Sequence, residues 1–259
     1  MDSHIQMPKF MLRRFENDKH ELYYYDLETH VLGKGSARST NTEEDYYSEG
    51  MESLLNRSIE TPFSKVLRYI DAIDFDSDSF SLFPGFEKTV KDFLKALFVR
   101  NPNNVDEIEK HSIFFQLCDE RSKHDVAVWM GMEEAYSQAL YDLFFPTFSV
   151  NQSDTPFVLP ISGSYGFTHN GIKHINLPID PKTAITLIDK KKVETIIKDE
   201  TVHLYLITND KQAEKFNMMA YENQQRLGYG RVVSNRKDVL EKLINERSME
   251  LLRWKHRYW

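Results

Sequence analysis

The spacing of hydrophobic residues changes twice along the chain and divides it into three zones. In residues 1–40, Pro8 stands where the first turn of a helix tolerates proline, just before an apolar ridge. The ridge consists of Phe10, Met11, Leu12 and Phe15. Tyr- and Val-rich segments follow at 21–27 and 29–32, closed by Gly33 and Gly35. Since aromatic and β-branched residues favour strands, these segments predict a β-hairpin.

Residues 41–145 have a helical period. A capping segment at 41–44 ends in two acidic residues, and apolar residues then recur every four positions. The recurring residues are Met51, Leu55, Ile59 and Phe63. Further helices are predicted at 86–99, 105–121 and 126–144, separated by polar breaks at 101–104 and 122–125. This zone therefore predicts a helical bundle.

Residues 146–259 begin with a strand-like pattern. Short β-branched or aromatic segments alternate with glycine and proline, at 147–150, 157–159, 174–177, 183–188 and 203–207. The connections are too short for the crossover helices that parallel pairs require, so a mostly antiparallel sheet is expected. Two closing helices are predicted, at 211–227 and from Arg236 onward.

A single α+β domain over residues 1–259 is the simplest architecture, because no repeat or long linker separates the zones. It would combine an N-terminal β-hairpin, a central helical bundle and a C-terminal, mostly antiparallel sheet with two closing helices. The last helix has an apolar face at Leu240, Leu243, Ile244, Leu251 and Trp254. We expect that face to pack onto the domain or onto a second copy of the chain, as a homodimer.

Composition narrows the class of protein. A hydrophobic fraction of 41% is typical of an ordered globular chain, and the single cysteine, Cys118, cannot form an internal disulfide. No apolar run approaches the roughly 20 residues of a membrane helix, so a cytoplasmic protein with no membrane partner is expected. The net charge of −7 opposes non-specific wrapping of nucleic acid. Basic residues at 190–192 and in the C-terminal tail would still allow nucleic acid as a substrate, although a solvated helix face is the favoured explanation of the tail.

Familiar catalytic motifs are absent from the sequence. The chain has no glycine-rich phosphate loop, no Gly-x-Ser-x-Gly elbow, no Cys-x-x-Cys pair and no His-Glu-x-x-His. These absences exclude nucleotide hydrolysis by a P-loop, the serine-hydrolase fold and the common zinc sites.

Three polar positions nevertheless need an explanation. Glu60 forms a stripe with Glu52 and Asn56 at four-residue spacing, which either points into a cleft or is a solvated helix edge. Arg100 ends an apolar helix, where it also favours the helix dipole. Asp154 lies in a short turn stiffened by Pro156. It could bind a metal or orient a base, and it could equally cap the turn by accepting backbone N–H groups.

The order of several short motifs resembles the bacterial family known as domain of unknown function 4238, from His4 to about residue 235. The matching positions are His4, Pro8, Leu12, Phe15, Glu60, Arg100, Pro102, the Ser-Asp-x-Pro turn at 153–156, the Leu-Pro-x-x-Pro segment at 177–181 and Asn217. The family usually has two residues between its His and its Pro. Because three separate His4 from Pro8 here, Gln6 is an alternative occupant of the place of the histidine.

Four residues from distant segments, His4, Glu60, Arg100 and Asp154, are the kind of set that converges in an active site. Glu60 and Asp154 would hold Mg²⁺ or Mn²⁺, His4 would act as general base and Arg100 would bind a phosphate oxygen. This set predicts a metal-dependent phosphodiesterase or nuclease, which the resemblance would place among bacterial toxin-like or phage-defence effectors. The competing hypothesis is a non-enzymatic module that binds a ligand or a protein, in which the same charges are structural.

Overall fold

The computed structural model describes residues 2–4, 7–40, 42–44, 46–76, 81–105, 119–133, 143–169, 171–190 and 204–257, and it gives the backbone alone at 2–4, 42–44, 120–121, 133 and 248–257. Cys118, most of the predicted helix at 105–121 and the basic residues Lys191 and Lys192 lie outside the described residues. The elements in chain order are β1 Asp2–His4, α1 Lys9–Arg13, β2 Leu22–Asp26, β3 Val31–Gly35, β4 Thr42–Glu44, α2 Glu49–Leu55, a π-helix Asn56–Glu60, α3 Thr61–Asp71, α4 Phe86–Val99, α5 Glu120–Glu133, β5 Phe144–Asn151, β6 Leu159–Pro160, β7 Tyr165–His169, β8 Ile172–Pro178, β9 Thr183–Asp189, β10 Leu204–Ile207, α6 Asp210–Leu227, β11 Arg231–Ser234 and α7 Lys237–Arg257.

The N-terminal apolar ridge forms the short helix α1, as predicted. Pro8 is its N-cap residue, a position where the missing backbone N–H of proline costs nothing. Met11, Leu12 and Phe15 are fully buried, and Phe10 packs partly buried against the same core. The opening of the chain is therefore part of the main core.

The helix start predicted at 41–44 is wrong. These residues belong mostly to β4, which pairs antiparallel with β1 at the N-terminus. Helix α2 begins at Glu49 instead, where the Ser48 side chain accepts a hydrogen bond from the backbone N–H of Met51 at 3.1 Å. Residues 41–44 and Ser48 both offer a capping side chain before the same apolar stripe. Because residues 42–44 pair with β1, the helix is capped by Ser48.

The predicted hairpin of β2 and β3 is confirmed, and it belongs to a larger sheet. The strand order is β3-β2-β11-β6, so two strands from the C-terminal half complete it. Gly33 and Gly35 lie within β3, not beyond its end as predicted. A Cβ at Gly33 would overlap the ring of Tyr24 on the paired strand, which explains the glycine.

The helical zone buries its apolar stripe as predicted. Met51, Leu55, Ile59 and Phe63 are each at most 7% exposed. The bounds of α4 match the prediction, whereas the break predicted at 122–125 is wrong, because α5 runs through it. The backbone N–H of Ser122 donates to Oδ1 of Asp119 at 2.9 Å, so the helix is capped before the polar segment. The predicted helix end at 144 is also wrong, since β5 begins there.

A five-stranded sheet occupies the C-terminal half in the order β10-β5-β9-β8-β7. Its pairs are antiparallel except β10 with β5, which are parallel, so the predicted mostly antiparallel sheet is confirmed. One face of this sheet joins the main core, together with residues of α3 and α4. The sheet contributes Phe148, Leu177, Ile185 and Leu187 to that core.

The two closing helices are confirmed as α6 and α7. Helix α6 ends at Gly228, whose φ of 78° is the left-handed conformation that glycine adopts without strain. In α7, Leu240 and Leu243 are buried against the chain itself, with Ile244 partly buried beside them. The homodimer remains a prediction. No helix in the described part of the chain is long and apolar enough to span a membrane. The fold class is α+β, as predicted.

Replacing Phe15 with alanine tests the role of the N-terminal ridge. Because the ring is fully buried, Phe15→Ala is expected to lower the free energy of unfolding by about 3 to 5 kcal/mol, measured by urea denaturation. Leu54→Ala is the matched control, since Leu54 is 43% exposed and should change stability by no more than about 0.5 kcal/mol. A Phe15→Ala protein as stable as the parent would show that the ridge is not part of the core.

Candidate functional site

Two of the four predicted site residues meet in the helical zone. Oε1 of Glu60, at the end of the π-helix, accepts a hydrogen bond from Nη1 of Arg100 at 2.9 Å. The Arg100 side chain is 2% exposed and that of Glu60 is 20% exposed. Arg100 directly follows α4, so elements 40 residues apart bring the pair together.

Arg100 keeps its charge in the interior because several groups favour it. Tyr47 forms a hydrogen bond with Arg100, and its ring centroid lies 5.5 Å from the guanidinium carbon. Burial opposes the charge, but Tyr47, Glu60 and Glu52 outweigh it, so the pKa of Arg100 is raised. Burial also raises the pKa of the Tyr47 phenol, which stays neutral at neutral pH. These four residues form what we call the arginine site.

The π-helix determines which carboxylates reach the arginine site. The backbone N–H of Thr61 bonds to the carbonyl of Asn56, five residues earlier, and the extra residue turns the chain relative to an α-helix. Glu52 and Glu60 both act on Arg100, whereas Asn56 is exposed and accepts a hydrogen bond from Oγ1 of Thr61 at 3.1 Å. The predicted stripe is therefore interrupted at its middle residue.

Glu52 has an oxygen without a hydrogen bond. Its Oε1 is buried and has no hydrogen-bond partner among the described residues. Buried polar atoms normally have partners, and short π-helical segments are frequent at functional sites. A purely structural network around Arg100 would not require this buried oxygen of Glu52 without a hydrogen-bond partner.

Asp154 belongs to a different network. It is exposed in the turn after β5, and its main-chain carbonyl accepts a hydrogen bond from Nη1 of Arg236 at 2.9 Å. The N–H groups of this turn are capped by the side chains of Asn151 and Asp210, not by Asp154 itself. In the described part of the chain, no hydrogen bond or ion pair joins Asp154 to the arginine site.

The backbone of His4 in β1 pairs with that of Thr42 in β4. The structure describes only the backbone of His4. Within the described ranges, no three His, Cys, Asp or Glu side chains are grouped so that they could hold a metal ion. The metal site from Glu60 and Asp154 therefore stays a prediction.

Other residues of the family motifs make structural contacts between distant segments. In the opening motif, Nε of Arg14 donates to the carbonyl of Ile179 at 2.8 Å, within the Leu-Pro-x-x-Pro segment. Nδ2 of Asn217 donates to the carbonyl of Pro156 at 2.8 Å, and its Oδ1 accepts from the N–H of Val158 at 3.0 Å. These contacts fix the Ser-Asp-x-Pro turn against α6.

A second polar assembly lies on the face of the five-stranded sheet that is turned away from the main core. Alternate residues of neighbouring strands share this face, and several of them are polar and buried. Their exposed fractions are 0% for Thr147, Ser149 and Asn176, 1% for Thr186 and 3% for His174. Burial of polar groups is costly unless they are hydrogen-bonded, so these residues need partners.

Hydrogen bonds join this polar row across four strands. Oγ of Ser149 donates to Oγ1 of Thr186 at 2.7 Å, and Oγ1 of Thr186 donates to Oδ1 of Asn176 at 2.6 Å. Nδ2 of Asn176 then donates to the hydroxyl of Tyr165 at 2.7 Å. Because a hydroxyl has one proton, Ser149 has only its lone pairs left for another partner.

His174, which shares this face of β8 with Asn176, is held as a neutral imidazole by two hydrogen bonds of its own. Its Nδ1 lies 2.9 Å from the carbonyl of Ile172, which can only accept, so Nδ1 carries the proton. Nε2 therefore accepts from the hydroxyl of Tyr205 at 3.3 Å. Burial lowers the pKa of His174 and outweighs the opposing bond to Ile172. The Phe167 ring stacks on the imidazole with 4.8 Å between centroids.

The polar row lines a cavity of about 270 Å³ between the sheet and α6, which we call the histidine cavity. Phe167, Phe216 and Met219 supply apolar walls. Gln212 lies at the same cavity, and because its Oε1 accepts from the N–H of Thr208 at 3.0 Å, its amide N–H groups remain as donors. Apolar walls with a few fixed polar groups are typical of small-molecule sites.

The histidine cavity was missed in the sequence, although its signal is present there. Residues 147–151 and 174–177 read Thr-Phe-Ser-Val-Asn and His-Ile-Asn-Leu, with polar and apolar side chains in alternation. Such alternation is also typical of an antiparallel sheet with one solvated face. Only the position of α6 over that face makes the polar row a buried network.

The fold and its two polar assemblies define an α+β protein with a buried arginine and a ligand-sized cavity. A family described as Protein of unknown function (DUF4238) matches residues 6–135, half of the chain, and the chain belongs to this family. The family inferred from the motifs is thus confirmed over residues 6–135, whereas His4, the segments 153–156 and 177–181, and Asn217 lie outside the match. The matched segment contains Glu60 and Arg100 and ends before the strands of the histidine cavity. Searches of curated proteins and of solved structures found no match.

Acidification is expected to destabilise the protein through His174. Burial lowers the pKa of His174 in the folded state, so as pH falls below 6.5 the unfolded chain takes up a proton first. The contribution of neutral His174 to the free energy of unfolding is complete above pH 6.5. It is lost as the pH falls through the lowered pKa of the folded state. The thermal midpoint of the parent should therefore approach that of His174→Gln on acidification, measured between about pH 5 and 8.

His20→Asn is the matched control for this pH profile. The His20 side chain is 90% exposed, and Asn tolerates its left-handed backbone with φ of 58°. Because it replaces an exposed imidazole, its midpoint at neutral pH should differ little from that of the parent. A midpoint difference between parent and His174→Gln that stays constant with pH would show that His174 does not titrate differently on folding.

Proposed function

We propose that this protein is a binding module for a small, flat organic ligand that presents N–H groups, held in the histidine cavity. The observation that carries the proposal is the hydrogen-bonded pair of His174 and Tyr205 beside the buried polar row, which leaves an acceptor at a cavity with aromatic walls. Aromatic walls favour a flat ring, and fixed polar groups orient it.

The hydrogen bonds within the cavity wall determine where a ligand must donate and where it must accept hydrogen bonds. Ser149 gives its proton to Thr186, and Tyr205 gives its proton to Nε2 of His174. The oxygen of Tyr205 therefore acts as an acceptor towards a ligand and Gln212 supplies donors, whereas the fully buried Ser149 belongs to the network behind the wall. A ring with at least one N–H donor and one acceptor satisfies both sets.

Binding without chemistry agrees with the state of the two groups best placed to react. Nε2 of His174 already accepts a proton donor, and burial raises the pKa of the Tyr205 phenol, so neither group is an activated base or nucleophile. The polar wall is arranged to hold a ligand in place.

Benzimidazole and indene test this proposal, because they have nearly the same shape and differ in the ring nitrogens. Benzimidazole is expected to bind saturably in calorimetry and to be recovered unchanged. Indene should bind at least about tenfold more weakly, since it leaves the polar wall unpaired. Equal affinity for both compounds would contradict the assigned polarity, and no saturable binding of either would contradict the proposal itself.

Two phenylalanine variants locate the binding. Phe216→Ala removes an aromatic wall of the cavity and should weaken benzimidazole binding about tenfold. Phe98→Ala is the matched control, since Phe98 is 42% exposed on α4 and does not line the cavity. Binding that is weakened equally in both variants would place the compound elsewhere.

A second candidate function, metal-dependent phosphodiester cleavage at the arginine site, is favoured by one observation. Glu52 places a buried carboxylate oxygen without a hydrogen-bond partner in the described chain beside Arg100 and Glu60. Carboxylate oxygens suit Mg²⁺ or Mn²⁺, and an arginine suits a phosphate oxygen. A nucleic-acid substrate and a role in bacterial defence belong to this second proposal.

Glu52→Gln separates this candidate from a structural network. Labelled RNA, single-stranded DNA and duplex DNA are incubated with the protein and Mg²⁺ or Mn²⁺. Glu52→Gln is expected to abolish cleavage, measured per amount of folded protein because the change also removes a charge that helps to compensate Arg100. Asp92→Asn, on the exposed surface of α4, should cleave like the parent. Cleavage retained by Glu52→Gln, or no cleavage by the parent with either metal, would eliminate this candidate.

A further inference from the structure

A second, larger cavity adjoins the histidine cavity. It measures about 530 Å³ and shares Phe167, Thr168, His174 and Met219 with its neighbour. The stacked rings of Phe167 and His174 form part of both walls. The two cavities therefore lie side by side.

Helix α6 contributes one continuous face to both cavities. Gln212 and Phe216 line the histidine cavity, Met219 lines both, and Asn223 and Arg226 line the second. These residues follow one another at spacings of four and three, so they form one stripe along the helix. At about 1.5 Å per residue the stripe is about 21 Å long, which is enough for a ring with an attached charged group.

Three cationic side chains line the two cavities. Lys215 lies at the histidine cavity, and Lys173 and Arg226 lie at the second. Within the described ranges none of these three cations makes an ion pair or hydrogen bond, although the chain has a net charge of −7. Glu222 is the acidic residue that lines the second cavity, and Nη1 of Arg247 lies 3.4 Å from its Oε1. The second cavity therefore presents uncompensated positive charge.

We propose that the ligand is a nucleoside monophosphate or a similar anionic heterocycle, with its ring in the histidine cavity and its phosphate at Lys173 and Arg226. This inference rests on the proposed binding function and names the class of ligand. A nucleobase supplies the flat ring, with an N–H donor for the oxygen of Tyr205 and an acceptor for the amide of Gln212. A phosphate carries close to two negative charges, and arginine binds its oxygens in pairs.

Calorimetry with AMP, adenosine and inorganic phosphate on the full chain tests the proposal. AMP is expected to bind at least about tenfold more tightly than adenosine, because only AMP engages both cavities. The preference should weaken at high salt, since the cations are exposed and screened, whereas adenosine binding should change little. Equal affinity for AMP and adenosine would overturn the inference, and so would phosphate that binds as tightly as AMP.

Arg226→Gln and Lys211→Gln form a matched pair for the same experiment. Both variants remove one positive charge from an exposed position on α6, but Lys211 lines neither cavity. Arg226→Gln should lose the preference for AMP and keep the affinity for adenosine, whereas Lys211→Gln should behave like the parent. An unchanged preference in Arg226→Gln would overturn the placement of the phosphate.

The benzimidazole experiment separates the two levels of the proposal. If benzimidazole binds and AMP shows no advantage over adenosine, the binding function stands and the anionic ligand class fails. If benzimidazole fails to bind but AMP binds with dependence on Arg226, the anion site stands and the assigned ring site fails. Failure of every probe overturns both.

Discussion

The two-residue period of the β-strands is the constraint on which most of this structure depends. β5 and β8 carry mainly apolar side chains on one face and mainly polar ones on the other, and the apolar face, with Ile185 and Leu187 of β9, completes the main core with α3 and α4. The polar set must then appear on the opposite face. Once α6 covers that face, each buried polar group needs a hydrogen-bond partner. A register shift of one residue would exchange the two sets, so core packing and cavity chemistry depend on the same pattern.

The two polar assemblies solve the problem of buried polarity in different ways. At the arginine site a full charge is buried, and Glu60, Glu52 and Tyr47 compensate it. Such a network is costly to disturb, because removal of one partner leaves a buried charge. At the histidine cavity the polar groups are neutral. They form hydrogen bonds with one another, and Tyr205 lies at the cavity itself. The first arrangement holds its own residues together, whereas the second has acceptors to offer to another molecule.

Contacts between segments that are far apart in the chain hold the fold together outside these two assemblies. Arg14 in the opening motif holds Ile179 beyond β8, and the N-terminal hairpin shares a sheet with β11 and β6. Asn217 of α6 holds the turn that contains Asp154. These contacts fix segments that are far apart in the chain against one another.

Local pattern alone determined the helices α4 and α6, the hairpin, the mostly antiparallel sheet and the burial of the N-terminal ridge. These features depend on period, capping and turn chemistry, which operate within a few residues. Glu60 and Arg100 could be selected because each is polar at the border of an apolar stripe. The strand at 42–44, the π-helix, the separate position of Asp154 and the cover over the polar face of the sheet were decided by tertiary structure. Each depends on contact between residues far apart in the chain, and no local period records which distant segment will cover a given face.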